Sequence, residues 1–516
     1  MKTLNSALSR HPTGRICSRR FLLALLLLFV WGIRTNAQFR LYGKLPGGSR
    51  SDTLYLNIPF VYGNYRENDL QVIADNRGNF TIDLPLNEYK FATLQRGGRA
   101  YTLLLIPGKK LQLIFGSDTT VLFKGTAGAQ NRLLASLHLG DIPFFGKEIR
   151  AKNPYAHLSA AGVADSVFKP WFAIRDERLK GIKESSLTHF EKQLISQEVE
   201  ADAVVQAHSY LRGIGSFRMR ELIGLTAELY KGVSITPEVM PAGPQFYRMA
   251  DNYVGHMEGQ AILEMQTLKE NANKTPLKFY NISLDSGNVL IDKKGKMFLN
   301  WIAIRNNYPA DVAEALLAQA VFSKTVDKDL AQAAPLMEEL MYIYPGSRYI
   351  GKLSARMNML KAALKRNSAN RAIHIFNESD SINSVAALLA RFKGKVVYLD
   401  IWGTWCGPCK DELRYVPELR KRFEGKDVAF VYIDMDEDKK DAQWREFLIV
   451  NNMEGWHLRK SRKDINPFWE ELLPAFEGRN SYPTYFIFDR SGKLVIPKAK
   501  RPSDKAELYR QIDGFL

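Results

Sequence analysis

Cys406 and Cys409 stand two residues apart in the run Trp405-Cys406-Gly407-Pro408-Cys409, and Cys17 is the only other thiol in 516 residues. A disulfide between cysteines this close closes too short a loop to stabilise a fold by much. Such a pair is better suited to making and breaking a disulfide, with a thiolate as the attacking species. The apolar run Val396 to Trp402 reads as a buried strand that delivers Trp405-Cys406 to the start of a helix. A helix start offers unpaired N–H groups and the positive end of the helix dipole. Cys406 is therefore expected to be the exposed thiolate of lowered pKa, and Cys409 the more buried partner. Gly407-Pro408 allows a tight turn and presets φ for the first helical turn. The competing chemistry is metal capture, which two thiolates could perform on copper. Zinc sites usually take four N or S ligands, and neither His374 nor His457 stands at a ligand spacing from the cysteines. The expectation is no metal and no bound cofactor beyond the redox-active Cys406–Cys409 pair.

The elements that position this motif occupy only the end of the chain. With 46% hydrophobic and 25% charged residues, composition is that of a globular protein, which excludes disorder and low-complexity scaffolds. At roughly 100–200 residues per domain, the length asks for about three domains. Net charge is +17, but the first 37 residues contribute six Lys/Arg and no acid. The remainder carries 66 basic against 55 acidic residues with no basic stripe interleaved with aromatics, so nucleic acid is not expected as a partner.

Residues 1–37 read as a secretory signal peptide. Arg15, Arg19 and Arg20 precede the apolar run Phe21 to Trp31, and Thr35-Asn36-Ala37 supplies small residues before a cut ahead of Gln38. The run is 11 residues long, against about 20 needed to span a bilayer; an uncleaved anchor is the alternative. Cys17 precedes the apolar run and cannot be the lipidated residue of a lipoprotein signal. The mature chain is expected in the periplasm or cell envelope, soluble or attached to the membrane surface, where disulfides persist.

Residues 38–126 read as a β-rich domain. Runs such as Thr53 to Ile58 and Phe80 to Leu84 alternate apolar with polar residues, and Pro46-Gly47-Gly48, Asn76-Arg77-Gly78 and Pro107-Gly108 punctuate them. The last two turns are expected to close hairpins. Residues 127–370 shift to helical periodicity, clearest over Thr188–Leu211, Asp311–Phe322, Pro335–Tyr344 and Ser347–Leu364. This region is expected to be mostly α-helical and to serve as a spacer or docking surface. Residues 371–516 alternate apolar strands (Val396–Trp402, Val428–Asp434, Thr484–Asp489, Leu494–Ile496) with helical stretches, an α/β layout with a mixed sheet. The fold class is thus multidomain: β-rich, then helical, then α/β.

The motif Trp-Cys-Gly-Pro-Cys on a strand–helix junction closely resembles the thioredoxin superfamily. Lys393-Gly394-Lys395-Val396-Val397, Glu412 three residues after Cys409, and the long gap to Tyr482-Pro483-Thr484 resemble its TlpA/ResA-like exported thiol–disulfide oxidoreductases. The resemblance covers about Ala372 to Leu516, and implies a thioredoxin fold there. The regions ahead of it are similar in arrangement to the extensions that precede thioredoxin modules in Bacteroidetes envelope proteins. The resemblance implies that Asp400 is a buried carboxylate of raised pKa that moves the proton of Cys409, that Glu412 plays a similar part, and that Pro483 is cis and faces the motif. It further implies that Trp405, Pro408, Tyr482 and Thr484 form the substrate-binding rim, with Trp402 in the core. Two departures stand out: Arg414 replaces the helix proline many members carry, and Tyr482 is bulkier than the usual residue before the cis proline.

The function expected is protein thiol–disulfide exchange, with protein disulfides as substrates and a membrane electron donor as partner. A reductase is favoured by Gly-Pro between the cysteines; a disulfide oxidase or isomerase uses the same chemistry. The reading from a different class is a binding or assembly protein whose N-terminal regions dock a protein partner and whose redox domain is accessory.

Overall fold

The computed structural model describes residues 37–45, 53–116, 120–148, 150–215, 217–377, 381–461, 463–475, 479 and 481–516. The expected signal peptide ahead of Ala37, Cys17 and the Pro46-Gly47-Gly48 turn lie outside them.

The N-terminal part is built from two four-stranded sheets. One has the order β4-β1-β7-β8, from β1 (Ala37–Lys44), β4 (Asn79–Leu86), β7 (Lys110–Phe115) and β8 (Val121–Lys124). The other has the order β3-β2-β5-β6, from β2 (Leu54–Asn57), β3 (Asp69–Val72), β5 (Lys90–Arg96) and β6 (Arg99–Leu105). Alternating side chains of both sheets, among them Phe39, Leu41, Leu56, Leu94 and Leu113, meet in one core. The two expected hairpins are corrected here. Asn76-Arg77-Gly78 and Pro107-Gly108 carry the chain from one sheet to the other, because β3–β4 and β6–β7 are not paired neighbours. A two-residue hairpin is instead closed by Gly97-Gly98 between β5 and β6, where both glycines take positive φ.

Helices fill the middle of the chain. Helix α1 (His189–Gly213) starts in a capping box, with Thr188 Oγ accepting the Glu191 N–H and the Glu191 carboxylate accepting the Thr188 N–H. With α2 (Pro244–Leu268), α3 (Ala310–Val326), α4 (Leu330–Ile343) and α5 (Ile350–Asn367) it encloses a core containing Trp301, Phe322 and Leu340. Helix α4 begins five residues before the Pro335 that its expected start was placed on. Asp329 caps it by accepting the Gln332 N–H at 3.2 Å, and Pro335 sits inside. The β sandwich and helices are continuous, since Ile182, Leu194, Ile195 and Val199 join the sandwich core.

The C-terminal domain has a six-stranded mixed sheet in the order β14-β13-β10-β11-β12-β9. Its strands are β9 (Ile373–Ile375), β10 (Val396–Trp402), β11 (Val428–Asp434), β12 (Gly455–Arg459), β13 (Thr484–Phe488) and β14 (Leu494–Pro497). Strands β10 and β11 match the expected spans, whereas the short β9 and β12 had no expected counterpart. Central β10 is buried along its whole length, pairing parallel to β11 and antiparallel to β13. One face, with Val397, Leu399 and Ile401, packs on Phe468 and Trp469 of α9 (Asn466–Leu472). The other face carries Val396 and Tyr398, then Asp400, then Trp402. Helices α6 (Gly407–Glu412), α7 (Val416–Arg422), α8 (Asp441–Val450) and α10 (Ala506–Asp513) supply the apolar residues that cover it.

Candidate functional site

Strand β10 ends at Trp402, and a loop of three residues leads into Cys406, the N-cap of α6. Cys406 and Cys409 are disulfide-bonded with Cα atoms 5.3 Å apart. The Cys409 N–H points back at Cys406 Sγ, 3.2 Å away. An amide aimed at this sulfur stabilises charge on it once the bond is reduced. Cys406 is not exposed as expected: it is 5% accessible and Cys409 2%. Both pack with Trp402, Tyr432, Trp444 and Phe447, so the pair forms the edge of an apolar cluster.

What stands exposed is the rim. Trp405 is 47% accessible, and its ring meets that of Tyr482 edge-on at 5.2 Å. Pro408 is also exposed. Tyr482 packs against the cluster that contains both cysteines, and the Tyr482–Pro483 bond is cis. Pro483 is buried, and Thr484 opens β13, its hydroxyl donating to the Ser481 carbonyl at 2.5 Å. The loop before the motif is tightly fitted. A Cβ on Gly403 would lie 2.6 Å from Trp405 Nε1, so glycine there lets the indole lie over the backbone.

Asp400 is the polar residue between the two apolar clusters of its face. It is 4% accessible, and its Oδ1 has no hydrogen-bond partner among the described residues. Burial, and then the nearby Glu412, push its carboxyl well above the usual carboxylate range. In register it sits opposite Tyr432 and Tyr485. Glu412 is also buried, but both its oxygens are occupied: Ser503 donates its N–H to one and its hydroxyl to the other, each at 2.9 Å. Of the two expected carboxylates, one has a free oxygen and the other is bound into the α6–α10 side of the domain.

Two features were missed by the sequence reading. Asp436 accepts both the N–H (2.9 Å) and the hydroxyl (2.8 Å) of Thr404, two residues before Cys406. Its own N–H donates to Asp434 Oδ1 at 2.7 Å. Asp434 is fully buried, and its carboxyl is pushed well above the usual carboxylate range, by burial first and by Asp436 next. The available signal was two acids at the end of strand β11, where parallel α/β sheets place their sites. The second missed feature is Lys410, which reaches across to Asp327 and Asp329 of the helical region. No local pattern could have paired residues 83 apart.

His457 is buried and stacked on Tyr432, its Nε2–H donating to the Met453 carbonyl at 2.6 Å. Burial lowers its pKa to about 4, so it is neutral. No helix among the described residues is long and apolar enough to cross a membrane.

The Redoxin family profile matches residues 369–460. A thiol-disulfide oxidoreductase ResA of Bacillus thuringiensis subsp. konkukian is 33% identical over 122 residues, 23% of this chain and 65% of that protein. The ResA of Bacillus subtilis is 43% identical over 107 residues, 21% of this chain and 54% of that protein. A candidate thiol-disulfide oxidoreductase of Bacteroides vulgatus, solved in solution, is 32% identical over 24% of this chain and 76% of its own, with a TM-score of 0.21. The chain thus spans less than two thirds of the ResA proteins' own length. The Redoxin match and the likeness to the ResA proteins support one assignment: the C-terminal part of the chain, which contains the Cys406–Cys409 pair, is a TlpA/ResA-like domain of the thioredoxin superfamily.

Proposed function

We propose that this chain is an exported protein thiol–disulfide oxidoreductase of the cell envelope, working as a disulfide reductase. The observation that carries the reading is the Cys409 N–H aimed at Cys406 Sγ, beside an exposed aromatic rim. An extended substrate segment docks on Trp405, Pro408 and Tyr482, with the cis Pro483 turn and Thr484 shaping the floor. The Cys406 thiolate attacks one sulfur of the substrate disulfide; a mixed disulfide forms and the other substrate sulfur leaves as thiolate. Cys409 then gives its proton to the unpartnered oxygen of ionised Asp400 and attacks Cys406 Sγ. That releases the second substrate thiolate and restores the Cys406–Cys409 disulfide. The chain loses two electrons and the substrate gains them. Glu412, held by Ser503, lies close enough to Asp400 to strengthen that carboxyl's hold on a proton.

The dithiol is regenerated by a membrane-bound thiol donor, and the β sandwich and helices dock a protein partner. An oxidase or isomerase would use the same residues with the electron flow reversed or closed. The test uses the reduced full-length chain and a model protein disulfide. Cys409→Ser should accumulate a mixed disulfide through Cys406, and Cys406→Ser none. Turnover that survives Cys406→Ser would overturn the assignment.

A further inference from the structure

We propose that Lys410, Asp327 and Asp329 are positioning residues of the redox pair: the helical region clamps the residue that follows Cys409 and so biases the pair toward its disulfide. The proposal rests on the redox function given above.

Lys410 lies on α6, one residue beyond Cys409. A free cation there would add to the helix start in favouring thiolate. Stabilising thiolate stabilises the reduced pair and makes it a stronger oxidant, the logic by which DsbA is oxidising. In this chain that cation is withdrawn. Lys410 Nζ lies 3.4 Å from Asp327 and 3.5 Å from Asp329, with 8% of the Lys410 side chain and 7% of Asp329 exposed. Its ammonium also stands 5.6 Å from the Phe447 ring centroid.

Both aspartates belong to the turn between α3 and α4, and Asp329 is fixed independently of Lys410. It caps α4 and accepts Gln332 Nε2 at 2.6 Å. Lys324 stands 3.7 Å from Asp327. Glu446 of α8 also faces Asp329 and is driven toward its neutral form, by burial first and then by that aspartate. Two lysines thus balance two aspartates, and loss of one member leaves a charge of known sign beside the pair.

Docking does not depend on this cluster alone. Asn367 Nδ2 donates to the Ile449 carbonyl at 2.9 Å, Asn451 Nδ2 to the Lys328 carbonyl at 3.4 Å, and Val450 enters the helical core. The clamp can therefore be altered without undocking the domain.

The experiment equilibrates the full-length chain with reduced and oxidised glutathione and counts free thiols by alkylation and mass spectrometry. Asp329→Asn, an isosteric cap, frees the lysine charge and should shift the equilibrium about threefold toward dithiol, the scale of one screened charge near a helix end. Lys410→Met keeps the stem over Phe447 and leaves the aspartates unbalanced; it should shift about threefold toward disulfide. Asp327→Asn repeats the first sign if Asp329→Asn misfolds. Opposite signs support the clamp. Shifts in one direction for both charge types, or none, overturn it. A wild-type chain with no titratable couple overturns the redox function and the clamp with it.

Discussion

Asp400→Asn separates the chemistry of the site from its stability, and the two should move in opposite directions. The carboxyl is buried in the centre of β10, has an oxygen without a partner, and is pushed well above its ordinary value of 3.8 by burial and then by Glu412. In the unfolded chain it ionises near pH 3.9. Between that value and its folded pKa the native chain holds one more proton than the unfolded chain. Stability contributed by the neutral carboxyl is present at low pH and declines as pH rises. Wild type should therefore lose stability relative to Asp400→Asn, which cannot ionise, as pH rises above the ordinary carboxylate range. Native-state hydrogen exchange of peptides covering β10, corrected for intrinsic rates, reads this opening energy without requiring two-state unfolding of a multidomain chain. The variant should be the more protected of the two, by a margin that widens with pH. Its reductase turnover should fall about 100-fold through loss of the base, and wild-type turnover should rise with pH as Asp400 ionises. A protection difference that stays flat as pH rises above about 4 would show that burial does not hold the Asp400 proton, and would refute the reasoning.

Other outcomes follow from the same geometry. Glu412→Gln still offers an oxygen to Ser503, so turnover should stay within about threefold of wild type in the insulin-reduction assay, unlike Asp400→Asn. Trp405→Ala should raise KM about tenfold with little change in Tm, because the ring is half exposed and belongs to the proposed substrate rim. Gly403→Ala should share that KM effect by displacing the indole, detectable as a change in Trp fluorescence. Asp436→Ala strips the Thr404 N–H and hydroxyl of their acceptor and should lower stability by about 1–3 kcal/mol in thermal melts.

Much of the site could be read from sequence because its geometry is local. Five consecutive residues place two sulfurs at a helix start, and one X–Pro before a strand run marks the opposing turn. Strand β10 was legible because burial on both faces requires an unbroken apolar run, which Asp400 alone interrupts. The misplaced hairpins show where local signals stop. Asn76-Arg77-Gly78 announces a turn but not which sheet the next strand joins, since that depends on β1 pairing parallel to the distant β7. The exposure of Cys406 was misjudged because Trp444 and Phe447, from α8, cover it from outside the motif. The Lys410 clamp rests on docking between regions far apart in sequence. Charge spacing within one helix carries no trace of it.

A reducing dithiol at Cys406–Cys409 in the full-length chain is tested most directly by its reduction potential against defined thiol buffers. The value expected is near thioredoxin's, about −270 mV. A value near that of DsbA, about −120 mV, would contradict it and make the chain a donor of disulfides.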